Sequence, residues 1–320
     1  MSSTQLLSRP EIRANYFEQL EIQTQATWLD GMTEYQGGVN SAEGQYPMTS
    51  NVPKMEEAIG PFNPPALTSN VMIIRNKVYR NGLRIPKWDL RRDRTGQLSK
   101  RTGEFSQTGL THWMELASEL LNNGEAAICS TGFPFFYEAH NDGGADYSNL
   151  IDKDDVPELA VVSAGAPTAY EFAMAINAII PLFFAFRDEQ GRSRNRLARK
   201  FLVMVPISLM AVASQAITSP TLAVAGGGNI NNPLINTMFS IEFDINPDLD
   251  WETDFTVSRM DGIQKPIIRQ EEQELSVEVF GPESEYYRLN DEALIKVDTS
   301  RNVGFGIPWQ TIKAQLSNKP

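Results

Sequence analysis

The chain has 320 residues, with 40 Asp and Glu against 28 Lys and Arg for a formal net charge of −12. That balance excludes a general basic coat for nucleic acid, which needs clustered cations to meet phosphates. A single cysteine, Cys129, excludes an intrachain disulfide and a two-thiol metal site, and only His112 and His140 can act as imidazole ligands or bases.

The hydrophobic content of 41% is that of an ordinary globular chain, long enough for two domains or for one with large extensions. The first residues lack the charged start and apolar core of a secretory signal, so a cytoplasm-like compartment is expected. The longest apolar run, 173–186, is interrupted by Asn177 and Pro181 and is too short to span a membrane.

Residues 10–30 predict a helix with Pro10 at its start and a partial stripe of Ile12, Tyr16, Leu20 and Trp28. Residues 31–67 are rich in Gly, Pro, Ser and Asn. They carry Met48, Val52, Met55, Ile59 and Phe62 without a helix or strand period, the pattern of an extended arm. In 69–101, Val71, Ile73, Val78, Tyr79, Leu83 and Ile85 favour strands, and Asn81-Gly82 predicts a hairpin turn. This run carries ten cations (Arg75, Lys77, Arg80, Arg84, Lys87, Arg91, Arg92, Arg94, Lys100 and Arg101) against Asp89 and Asp93. It therefore stands at +8 in a chain whose remainder stands at −20.

The clearest helix covers 103–124. Leu110, Trp113, Met114, Leu116, Ala117, Leu120 and Leu121 fall on one face, Glu115, Ser118 and Glu119 on the other, and Asn122-Asn123-Gly124 stops it. Burying such side chains is worth roughly 1.5–3 kcal/mol each, so this helix is expected to pack on a sheet. Beyond it, Ala126–Cys129 predicts a short buried strand, and Thr168–Phe186 a helix capped by Thr168 and disturbed at Pro181. Phe201–Val205 predicts an apolar strand and Ser208–Ile217 a helix. Further strands are expected at Thr237–Ile245, Phe255–Arg259, Ile267–Arg269, Leu275–Phe280 and Leu294–Val297. The class is α+β, with helices packed on sheet.

No catalytic constellation emerges. His140, Asp142 and Asp146 offer one imidazole and two carboxylates for a divalent ion and define a rival reading, a metal-dependent hydrolase, but their spacing matches no specific site. Asp152, Asp154, Asp155 and Glu158 lack the glycine and spacing of a calcium loop. Gly226-Gly227-Gly228 lacks the Lys and helix start of a phosphate loop. Cys129 reads as a small buried hydrophobe, and His112 as a packed helical residue. No cofactor and no metal are expected.

The basic run has two readings. Trp88 and Tyr79 interleave with its cations as in a nucleic-acid site. Alternatively it meets acidic surface on another copy, because residues 271–298 hold Glu271, Glu272, Glu274, Glu278, Glu283, Glu285, Asp291, Glu292 and Asp298 against only Arg288 and Lys296. We favour the second: Arg84, Arg91, Arg92 and Arg94 are expected to meet Glu271, Glu272, Glu274, Glu283 and Glu285, or the acidic amino-terminal arm, of adjacent subunits.

Two stretches carry a family resemblance. The loop Gly132-Phe-Pro-Phe-Phe-Tyr-Glu-Ala-His140, closing on Ser148-Asn149-Leu150, resembles the Phe-Phe…His…Ser-Asn loop of Mu-like phage major head subunits. The ending Asp298-Thr-Ser-Arg-Asn-Val-Gly-Phe-Gly-Ile-Pro-Trp-Gln310 is similar to their Arg-Asn-Val-Gly-Tyr-Gly…Trp-Gln ending. The chain departs from the pattern at Tyr137–Asn141, where the family has Asp-Thr-Asp-His-Pro, and at Ile307-Pro308.

The resemblance implies the Hong Kong 97-like capsid fold. Residues 1–66 become an N-terminal arm, and 67–102 an extended β-hairpin loop lying across the next subunit. Residues 103–125 become the spine helix of a peripheral domain, 126–250 an axial domain, and 251–320 strands returning to the peripheral domain. The implied function is that of the major capsid protein of a tailed double-stranded DNA phage, self-assembling into the hexamers and pentamers of an icosahedral head. It implies no enzyme activity. The implied partners are the chain itself, scaffolding, portal and decoration proteins, and DNA enclosed without sequence-specific binding. The place is the virion capsid, assembled in the host bacterial cytoplasm. An encapsulin-like nanocompartment shell is the alternative within the fold.

Overall fold

Strands that need two buried faces and strands that need one sort most of this chain into two larger sheets, with four two-stranded pairs beside them among the described residues. The computed structural model describes residues 28–38, 41–49, 69–92, 97–142, 145–224, 226–235 and 237–319. Helix α1 (Trp28–Met32) leads into β1 (Thr33–Gly37), β2 (Glu43–Thr49), β3 (Ser69–Arg75), β4 (Lys77–Pro86), α2 (Lys87–Arg92) and α3 (Gln97–Asn122). Then come β5 (His140–Asp142), β6 (Ala145–Tyr147), β7 (Leu150–Ile151), β8 (Ala160–Val161), α4 (Ala169–Ala185), β9 (Lys200–Val205), α5 (Met210–Thr218), β10 (Thr221–Val224) and β11 (Gly228–Asn231). The chain closes with β12 (Ser240–Ile245), β13 (Asp254–Arg259), β14 (Ile267–Phe280), α6 (Glu285–Asn290), β15 (Glu292–Phe305), β16 (Thr311–Gln315) and β17 (Ser317–Asn318).

The first sheet has the order β1-β14-β15-β4. Its centre is the antiparallel pair β14–β15, 14 residues each and therefore roughly 45 Å long. Alternation is clean along β15, where Ala293, Ile295, Val297 and Thr299 turn inward. The 26-residue α3, about 39 Å long, lies along this sheet. Trp113, Leu116, Ala117 and Leu121 pack with Ile267, Val303 and Phe305, and α1 adds Trp28, Leu29 and Met32 to the same cluster.

The second sheet has the order β12-β9-β13-β16-β7. Phe172, Ile176, Ile179 and Phe183 of α4 cover it over Val203, Val205, Phe255, Val257 and Ile312. A reciprocal capping box starts α4: Glu171 N–H donates to Thr168 Oγ1 at 3.2 Å, and Thr168 N–H to Glu171 Oε2 at 3.1 Å. Pro181 sits inside α4, which continues past it. Strand β9 joins the two cores. Phe201, Val203 and Val205 belong to the α4 cluster, while Leu202 and Met204 belong to the α3 cluster. That double burial is why the strand is apolar at every inner position.

Several expectations are corrected. Asn81-Gly82 is not a turn: β4 runs straight through it, with Asn81 opposite Val297 and Gly82 opposite Lys296. The pair permits a turn without compelling one, and register with β15 buries Ile85 at 4% exposure. Among the described residues of 67–102, β3 and β4 do not pair with each other: β3 pairs with β2 and β4 with β15. The hairpin is instead β2–β3, from Glu43 opposite Arg75 to Thr49 opposite Ser69, with 50–68 outside the described residues. It docks Met48 and Ile74 on the α4 cluster, and Tyr46 donates to buried Gln270 at 2.7 Å.

Ala126–Cys129 forms only the isolated bridge Ile128–Pro134, because Cys129 N–H donates to Phe133 O and closes a loop. Strands expected at 267–269 and 275–280 are one strand with register shifts between Glu271, Gln273 and Ser276. Residues 251–320 do not return as one unit: β13 and β16 lie in the five-stranded sheet, β14 and β15 in the four-stranded one. Helix α3 starts at Gln97, six residues before the expected start, and α5 starts at Met210. Of the expected 10–30 helix, residues up to 27 lie outside the described residues. The arm segments seen at 33–37 and 43–49 are strands.

Candidate assembly surface

The basic run finds much of its counter-charge inside its own chain. Strand β4 and the first residue of α2 place cations beside the carboxylates of β15 and the turn before it. Arg80 lies 3.0 Å from Asp298, Arg84 3.8 Å from Glu292, and Lys87 2.6 Å from Asp291. Arg75 of β3 lies 2.8 Å from Glu43 of β2. The pairs remain wet, since the Arg80 and Arg84 side chains are 73% exposed, and each is worth about 0.2–1 kcal/mol. Arg91 and Arg92 end α2, and their side chains lie outside the described residues. Arg94 lies outside the described residues.

The acidic set divides in two. Glu274, Glu283 and Glu285 are exposed along β14 and at the turn of the long hairpin. Glu271 is buried, and Glu272 accepts from Ser300 at 2.7 Å. Glu271 belongs to a junction that sequence reading misses. Arg301, 3% exposed, has its guanidinium 4.0 Å from Glu271 and 4.6 Å from the Trp113 ring. Its Nε donates to His112 Nδ1 and its terminal nitrogen to the Gly109 carbonyl, each at 2.9 Å. Tyr35 of β1 donates from its hydroxyl to Glu271. One arginine thus ties α3 to β14 and, through Glu271, to β1. Burial and then the Arg301 charge push His112 down to about 4, so the ring stays a neutral acceptor. Burial and the Glu271 contact push the Tyr35 hydroxyl up.

His140 and Asp146 of the rival metal set do not converge. His140 is fully buried, 3.2 Å from both Thr131 Oγ1 and the Phe135 carbonyl, and stacked 5.0 Å from Tyr147. Asp146 is exposed and accepts from Asn141 at 2.5 Å; the β5–β6 register puts it one step from the His140–Tyr147 pair, on the other face. The Asp142 side chain lies outside the description. Among the described residues no group of three or more His, Cys, Asp or Glu is placed to hold a metal ion. Asp152 accepts from the backbone of Asp154 at 2.8 Å, a local turn. Gly226 and Gly227 form the β10–β11 tip with φ of +108° and +88°. Cys129 is buried 3.0 Å from Thr131 Oγ1. Among the described residues no helix is long and apolar enough to cross a membrane.

The two stretches that carry the family resemblance meet in space. Phe135 stacks on Phe305 at 4.1 Å. Asn149, fully buried, donates to the carbonyls of Phe135 at 2.7 Å and Pro308 at 3.3 Å and accepts from Tyr137 N–H at 2.9 Å. The shared motif is a structural latch between the loop after α3 and the chain's end.

A long helix on a long-hairpin sheet, joined through β9 to a second sheet under two helices, is the Hong Kong 97-like fold of phage capsid proteins. The JBD30 bacteriophage procapsid shares it at TM-score 0.52 and 15% identity, over 97% of this chain and 75% of that one. The cyanophage P-SCSP1u capsid does so at 0.58 and 12%, over 92% and 88%. The mature capsid of bacteriophage PhiM1 does so at 0.53 and 14%, over 93% and 89%. No curated protein sequence matches the chain. The sequence pattern of one family, described as Mu-like prophage major head subunit gpT, matches residues 13–196, and the chain belongs to that family. It is a major capsid protein.

Proposed function

We propose that the chain builds the head by self-assembly into hexamers and pentamers, around double-stranded DNA, with no catalytic role of its own. The family match over more than half the chain carries this reading. The contacts are assigned to the charged flank. Arg80 and Arg84 spend one side on their own strand partners and keep most of the side chain open to a second carboxylate. Glu274, Glu283 and Glu285 are exposed carboxylates on the same sheet and at its end. Arg91, Arg92 and Arg94, next in sequence, are assigned to the same contact, and Glu271 and Glu272 join it only if the bulged part of β14 opens. Single exposed pairs are weak, so stability comes from their repetition at every subunit contact. Scaffolding, portal and decoration proteins are the further partners, and assembly takes place in the host bacterial cytoplasm. Electron microscopy of the purified chain tests the reading. Closed shells support it, and a monodisperse monomer under all salt conditions overturns it.

A further inference from the structure

A second basic segment, residues 187–200, connects α4 to β9 and is not among the sites expected from sequence. It carries six cations against two carboxylates, a net +4 on a chain at −12. Its backbone is fixed from within. Asp188 accepts from the N–H groups of Gln190 at 3.0 Å and Arg192 at 2.8 Å, and from Arg192 Nε at 2.8 Å. This closes a turn at Gly191, whose φ of +74° suits glycine. Arg194 lies 4.1 Å over the Trp309 ring. Asn195, fully buried, donates to the carbonyls of Phe183 at 3.1 Å and Trp309 at 2.9 Å, and accepts from Arg259 at 3.2 Å.

Arg192 and Arg194 therefore serve the loop itself. The other four cations, Arg187, Arg196, Arg199 and Lys200, are exposed. Among the described residues no carboxylate lies within ion-pair distance of their side chains. The nearby Asp261 is taken by Arg259 at 2.6 Å and by the Arg199 backbone at 2.8 Å. Four uncompensated cations on a preorganised backbone make a positive site on a chain whose net charge is −12.

We propose that this loop is a contact site for the phosphate backbone of double-stranded DNA. The proposal rests on the head-subunit reading, in which the chain encloses DNA. The loop presents no exposed aromatic ring to stack on a base and no helix or ribbon to enter a groove. It reads charge and not sequence. The same cations meeting an acidic surface of another copy is the rival, and the test separates the two.

The test is binding of a labelled duplex to the purified full-length chain over a salt series. Four phosphate contacts give a log–log salt slope of about −3.6, a loss of roughly 150-fold between about 50 and 200 mM salt. The triple substitution Arg187→Ala, Arg196→Ala and Arg199→Ala is expected to leave a slope of about −0.9. Arg196→Ala alone removes about 0.9 of slope, whereas Lys153→Ala, which deletes an exposed cation elsewhere, removes none. If the triple variant misfolds by circular dichroism, the two single variants decide. A wild-type slope in the folded triple variant or in Arg196→Ala, or no DNA binding by the wild type, overturns the proposal. So does failure of the folded triple variant to close shells without DNA, which assigns the loop to another copy. Shell formation by the wild type, viewed by electron microscopy, judges the head-subunit reading separately.

Discussion

Strand β4 and the 187–200 loop carry the same kinds of cation in opposite electrostatic states. On β4 the ladder with β15 brings Asp298 to Arg80 and Glu292 to Arg84, so a run at +8 in sequence is partly neutral in space. On the 187–199 loop no strand brings carboxylates alongside, Asp188 fixes the turn, and a smaller excess stays open. Charge counted in a sequence window measures what a segment contains. Strand register decides what it can offer to a partner.

The largest expected effect comes from a third cation, one with no water at all. Arg301→Met leaves Glu271 buried with Tyr35 as its remaining partner and strips the acceptors His112 Nδ1 and Gly109 O of their donor. Breaking a buried pair on one side costs about 3–5 kcal/mol, read as a lower urea midpoint. A loss under about 1 kcal/mol would put Arg301 in the same class as the wet β4 arginines and dissolve the distinction.

The pH dependence of the same junction comes next. The folded chain holds His112 down at about 4, below the usual value near 6.5. Between those values the unfolded chain binds a proton that the folded one does not. Stability from this group is complete above about pH 6.5 and declines as pH falls toward 4. His112→Asn should flatten that decline when unfolding is measured at about pH 7 and about pH 5; an unchanged decline assigns it to carboxylates instead.

On β4, Arg84→Glu should cost the folded subunit only about 0.2–1 kcal/mol while sharply reducing shell yield in light scattering. Added salt should weaken assembly of the wild type as well, because screening acts over about 10 Å at 0.1 M. The smallest effect belongs to the loop. Arg196→Ala should change unfolding free energy by less than about 0.5 kcal/mol, since the side chain has no internal partner to lose.

Much of the fold was legible in local pattern. Helix α3 announced itself through its stripe, α4 through its Thr168 cap, and β9 through its apolar run. What escaped depends on partners far along the chain. Asn81-Gly82 looked like a turn because the strand that straightens it begins more than 200 residues later, at Glu292. The bulges of β14 broke its alternation and split one strand into two. The Arg301–His112–Glu271 junction joins three elements and has no spacing of its own, so no window could reveal it. The family motifs were readable because Phe135, Asn149 and Phe305 are held by burial and by one another. The 187–200 loop needed the structure, since only there do its engaged and free cations separate.

Strand β9 has no idle face. Its alternate residues are gripped by two different cores, so neither half of the subunit can rotate without dragging the wall of the other. Parting the two sheets would strip apolar cover from one side of β9 or the other, so burial on both sides holds the joint.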